Sequence, residues 1–87
     1  MLQRALRLDP QVALRDEPFG ALAYHYGNRK LVFLRHPDVV EVVRSLDEHD
    51  CVADTLTACS IDERRWAAFE RAIDSMYESE MLSDRIG

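Results

Sequence analysis

The sequence predicts an α+β fold in which a three-stranded antiparallel sheet is followed by three helices. Three observations carry that expectation. Residues 12 to 35 hold short runs rich in aromatic and small apolar residues, separated by turn formers. At Pro37 the apolar period changes from strand-like to helical. From there to about Glu80, polar punctuation divides the periodic stretch into three.

Taken in order, Val12 to Arg15 reads as the first strand, and Asp16-Glu17-Pro18 ends it, because proline donates nothing to a ladder and pushes Glu17 toward extended backbone. Phe19 to Tyr26 is the second strand, in which Gly20 marks a bulge or a close backbone approach. Gly27-Asn28 suits a tight hairpin with positive φ, and Leu31 to Arg35 returns as the third strand. The order first, second, third follows from the usual adjacency of consecutive strands. Pro37 opens the first helix, whose stripe is Val39, Val40, Val42, Val43 and Leu46. Asp50 is positioned to cap a second helix running to about Cys59. Ser60 and Glu63 have the spacing of a capping box, and Trp66, Phe69, Ile73, Met76 and Tyr77 carry the third helix to about Glu80. Such an arrangement is winged-helix-like, in one domain spanning residues 1–87.

Composition narrows the function classes. With 47% hydrophobic and 31% charged residues, the chain has the make-up of a folded globular domain. No apolar run is long enough to span a membrane, and Met1 to Asp9 lacks a secretory apolar core, so the expected location is cytoplasmic. Cys51 and Cys59 have no further cysteine and no His at metal-ligand spacing, and are expected to be reduced packing residues. His25, His36 and His49 sit on different elements without a triad-like arrangement. No catalysis, metal or cofactor is expected of this chain.

Charge discriminates between two functions for a winged-helix-like domain. Residues 62 to 80 hold three arginines against six acids, a balance of −3, the wrong sign for a helix read into a DNA groove. A winged-helix DNA-binding regulator is therefore the alternative rather than the preferred function. Residues 1 to 35 hold six Lys or Arg against three acids, while residues 36 to 87 hold five against thirteen, so a sheet at +3 backs onto helices at −8. An acidic partner at the sheet edge fits that balance.

The third strand is apolar on both faces, with Leu31 and Phe33 on one and Val32 and Leu34 on the other, and its far side is unpaired in this order. An extended peptide added as a fourth strand satisfies such an edge. The competing occupants are a second copy of the chain, giving a homodimer when free, or the N-terminal segment Leu2 to Leu8.

The stretch Val12 to Leu34, above all Glu17-Pro18-Phe19-Gly20-Ala21, Tyr24-His25 and Arg29-Lys30-Leu31, resembles the PqqD-like family of recognition elements for ribosomally synthesised, post-translationally modified peptides, in its mycofactocin-pathway branch. The resemblance extends over essentially the full chain, more loosely in the helical half. It implies a domain that binds the leader of a precursor peptide along its third strand and third helix. It further implies delivery to a radical SAM maturase, which carries the iron–sulfur clusters and performs oxidative decarboxylation and crosslinking at the precursor's C-terminal Val-Tyr. Carried onto this sequence, the docking strand is Leu31, Val32, Phe33, Leu34 and Arg35, and the groove wall is Arg65, Phe69, Ile73 and Tyr77. Arg29 and Lys30 are candidates to meet leader carboxylates.

Overall fold

The computed structural model describes residues 1–85. Three strands, β2 (Val12–Glu17), β3 (Gly20–His25) and β4 (Leu31–Leu34), form one antiparallel sheet in the order β2-β3-β4. Helices α1 (Pro37–Ser45), α2 (Val52–Ala58) and α3 (Trp66–Glu78) follow. The α+β class and the strand order are those read from the sequence. A second, two-stranded sheet was not expected: β1 (Leu6–Leu8) pairs antiparallel with β5 (Leu82–Asp84), so the N-terminal segment joins the end of the chain instead of covering β4.

Alternation sets the sheet on its core. Along β3 the burial alternates, with Ala21, Ala23 and His25 inward. The two buried alanines leave room for Val42, Val43, Leu46 and Ile73, all close to fully buried. Gly20 stands at φ +146°, and a Cβ there would strike the Leu34 carbonyl, so the sequence signal was a close backbone approach.

The β3–β4 connection differs from the expected tight turn. Its positive φ falls on Arg29 (62°), not on Gly27 or Asn28, and the loop is organised by the buried His25. His25 Nδ1 accepts the N–H groups of Gly27 (3.0 Å) and Asn28 (3.1 Å), which fixes the proton on Nε2, facing Asp9 at 3.8 Å. Of Tyr24 and His25, it is His25 that is buried.

Two helix starts also differ from expectation. Asp50 does not cap α2; Cys51 occupies that position, and the Val52 and Ala53 N–H groups donate to the Arg4 and Leu2 carbonyls of the N-terminal segment. Ser60 and Glu63 form no capping box. Ser60, at φ 60°, lies in the left-handed region just beyond α2, while Asp62 accepts the Arg64 N–H and opens a 3-10 turn, Glu63–Arg65, before α3.

Candidate peptide-docking site

The hydrogen-bond parity of β3 determines which backbone groups of β4 are free. His25 N–H donates to the Lys30 carbonyl (3.0 Å) and Tyr26 N–H to the Gln11 carbonyl (2.9 Å). Odd-numbered residues of β3 therefore bond toward β4 and even-numbered ones toward β2. Since Ala23 pairs with Val32 and Ala21 with Leu34, the backbone groups of Val32 and Leu34 are committed to β3. Those of Leu31 and Phe33 point away from the sheet.

The side chains split the other way. Leu31 and Phe33 are 54% and 55% exposed on the outer face, whereas Leu34 is 4% exposed and Val32 half-buried on the inner face. Among the described residues no further strand pairs with either edge of this sheet, but the chemistry of the two edges differs. The β2 edge carries Arg15, Asp16 and Glu17, with Arg15 paired to Glu17 (2.7 Å) and Asp16 to Arg44 (2.8 Å), a charged guard against strand addition. No charge interrupts Leu31–Leu34.

Beside β4 lies a cleft of about 310 Å³, lined by Val32, Phe33, Leu34, Arg35 and His36, by Val39 of α1, and by Ala72, Ser75 and Met76 of α3. Its wall is mainly apolar, and Ala72 and Ser75 are short enough to leave space between helix and strand. Four of the five residues expected on the docking strand line it directly, and Leu31 lies at the start of the same edge.

The helix-three expectations separate. Phe69 and Ile73 are core residues, 4% and 1% exposed. Arg65 precedes α3, bonded to Asp38 at the start of α1 (2.9 Å) with its guanidinium 5.1 Å from the centre of the Phe69 ring. Tyr77 lies on another side of α3: its hydroxyl donates to Asp84 (2.7 Å) and accepts from Arg4 (2.8 Å), beside a second concavity that Asp9, His25 and Glu78 also line. The structure thus brings Val32, Phe33, Leu34 and Arg35 together and leaves Tyr77 apart. Sequence reasoning missed His36, Val39, Ala72, Ser75 and Met76. The short side chains three apart on a strongly amphipathic helix were the available signal. Arg29 and Lys30 are exposed at the hairpin that leads into β4, and neither makes an ion pair among the described residues.

Other chemistry is limited. Among the described residues no group of three or more His, Cys, Asp or Glu is placed to hold a metal ion. Cys51 and Cys59 are free and half-buried. Burial pushes the Cys59 thiol up, with the nearby Glu41 charge adding to the effect, so at neutral pH it is a protonated packing group. No helix among the described residues is long and apolar enough to cross a membrane.

An open apolar edge beside a cleft is the candidate site for an extended peptide. The profile of the peptide chaperone MftB family matches residues 5–83. "Peptide chaperone MftB" of Mycolicibacterium smegmatis is 46% identical over 76 residues, covering 87% of this chain and 74% of the relative. The protein of the same name from Mycobacterium ulcerans is 44% identical over 79 residues (91% and 72%), and that of Mycobacterium tuberculosis 38% over 82 (94% and 75%). No solved structure matches the chain. The chain belongs to the peptide chaperone MftB family and is a non-catalytic member of it.

Proposed function

We propose that the chain captures the leader of a ribosomally synthesised precursor peptide as a strand added to β4, over the cleft between β4, α1 and α3. We propose further that it presents this peptide, in the cytoplasm, to a radical SAM maturase in mycofactocin biosynthesis. The observation that carries the reading is the outward backbone of Leu31 and Phe33 beside an apolar cleft. An extended peptide supplies the missing ladder bonds there and places alternate side chains between β4 and α3. The resemblance noted in Val12 to Leu34 and the family membership support the pathway and the enzyme partner. Without peptide, the same edge is open to a second copy, and a homodimer that dissociates as peptide is added accords with the proposal. DNA binding is disfavoured by the acidic balance of residues 62 to 80.

Delivery by a chain without catalytic groups acts by raising the local concentration of substrate at the enzyme. The test is modification of the intact precursor by the maturase over a range of precursor concentrations, with and without this chain. Delivery predicts a strong requirement at low precursor that fades at high precursor. A requirement equally absolute at every concentration would show instead that the chain switches the enzyme's conformation.

A further inference from the structure

We propose that the chain reads its peptide on both faces of the added strand, the outer face forming a second row of subsites in which Phe33 and Phe19 take an apolar side chain and Arg35 takes a carboxylate. The inference rests on strand addition at β4 and extends it to the composition of the peptide.

Any strand bonded to the outward groups of Leu31 and Phe33 must set side chains directly beside theirs, on the face away from the core, at about 5 Å between Cβ atoms. That face is already built for contact. Phe19 and Phe33 meet edge to face with centroids 5.9 Å apart, and the Arg35 guanidinium lies 5.9 Å from the centre of the Phe33 ring. These three residues line an open concavity of about 430 Å³, which meets the inner cleft at Phe33 and Arg35 and differs from it in having Phe19 as its far wall. Phe19 is 41% exposed and Phe33 55%, so the two rings together form a contiguous apolar patch on the outer face beside the β4 edge. Arg35 makes no ion pair among the described residues. An aromatic pair with an unneutralised guanidinium at its side accepts an apolar group next to an acid.

Alternation then fixes a spacing. Residues opposite Leu31, Phe33 and Arg35 recur every second position, so the outer row is two apolar residues and one acid at intervals of two, while the residues between them face the inner cleft and are apolar. An antiparallel strand presents the acid first, as in Glu-Val-Leu-Val-Leu; a parallel one presents it last.

The test uses two labelled synthetic peptides with these cores, Glu-Val-Leu-Val-Leu and its reverse, flanked by Gly-Ser spacers, titrated against the full chain and its variants by fluorescence anisotropy. One of the two binds the unaltered chain, and Phe33→Pro abolishes that binding. Phe19→Ala weakens it roughly three- to tenfold, Phe19→Leu by less. Arg35→Glu weakens it as well and comes to prefer the peptide with Lys in place of Glu. Replacing the peptide leucine opposite Phe33 with alanine reports the same contact with no change to the protein. If Phe33→Pro abolishes binding while Phe19→Ala, Arg35→Glu and the peptide substitution leave it unchanged, the outer row is not read and strand addition stands. If Phe33→Pro binds as the unaltered chain does, strand addition fails and this inference falls with it. If neither peptide binds, the proposed motif is wrong.

Discussion

The guanidinium of Arg4 stacks 4.2 Å from the centre of the Tyr77 ring and donates to its hydroxyl at 2.8 Å. Asp84 completes the cluster, taking Arg4 at 2.7 and 2.9 Å and the Tyr77 hydroxyl at 2.7 Å. This cluster ties the segment before β1 to α3 and β5, and with it the carbonyls that receive the first N–H groups of α2. Tyr77→Phe removes one well-placed hydroxyl and is expected to lower stability by about 1 kcal/mol without altering peptide affinity. Denaturant unfolding and peptide titration on the same variant check both halves.

The same cluster gives a pH dependence. The Tyr77 hydroxyl and then Arg4 hold the Asp84 carboxyl below the usual carboxylate range. A pKa depressed in the folded state means that this stabilisation is fully present above the unfolded value of about 3.9, and is lost as pH falls through the folded one. Thermal melts from pH 6 to pH 2 should show a shallower acid loss in Asp84→Asn than in the unaltered chain, with lower stability at pH 6.

Much of the sheet was legible because its signals are local. Leu31–Leu34 is apolar on both faces, Pro18 and Gly20 punctuate the first hairpin, and Pro37 marks a change of period. What stayed hidden depends on partners distant in sequence. β1 and β5 are three-residue strands whose pairing of Leu6 with Asp84 leaves no periodicity to read. Ser60 looked like an N-cap but serves as the left-handed residue after α2, a position usually held by Gly or Asn, so the residue type pointed to the wrong role. On α3 the sequence shows one broad apolar stripe; only packing decides that Phe69 and Ile73 fill the core, that Tyr77 turns toward Arg4, and that Ala72 and Met76 reach the cleft.

The two sides of α3 should respond differently to mutation. Ile73→Ala empties a fully buried site and is expected to cost about 2 to 4 kcal/mol. Ala72→Phe fills the cleft from its half-buried rim, leaving stability within about 1 kcal/mol while peptide affinity falls at least tenfold. Calorimetry paired with titration separates the two.

Salt should tune capture moderately. Arg29, Lys30 and Arg35 flank the β4 edge without ion pairs among the described residues, so an acidic leader gains encounter rate from them while apolar contacts hold it. Stopped-flow binding at rising ionic strength should slow association more than it speeds dissociation. A leader indifferent to salt removes the electrostatic part of the reading.

Proline substitution separates the outward and inward backbone of β4. Phe33→Pro removes an N–H that points away from the sheet, so the domain stays folded and loses peptide. Val32→Pro removes one committed to Ala23, leaves that carbonyl unpaired, and lowers stability by roughly 1–3 kcal/mol. Circular dichroism melts and peptide titration of the pair distinguish them; equal stability and normal binding in both contradict the assignment.

Residue-resolved amide hydrogen exchange, with and without bound leader peptide, tests strand addition at β4 most directly. In the free monomer the Val32 and Leu34 amides should exchange slowly and those of Leu31 and Phe33 quickly, because only the first pair donates to β3. Adding peptide should slow Leu31 and Phe33 to the rate of their neighbours while the β2 edge, Val12–Glu17, stays unchanged. Saturating peptide that leaves the Leu31 and Phe33 amides exchanging as fast as before would contradict the account.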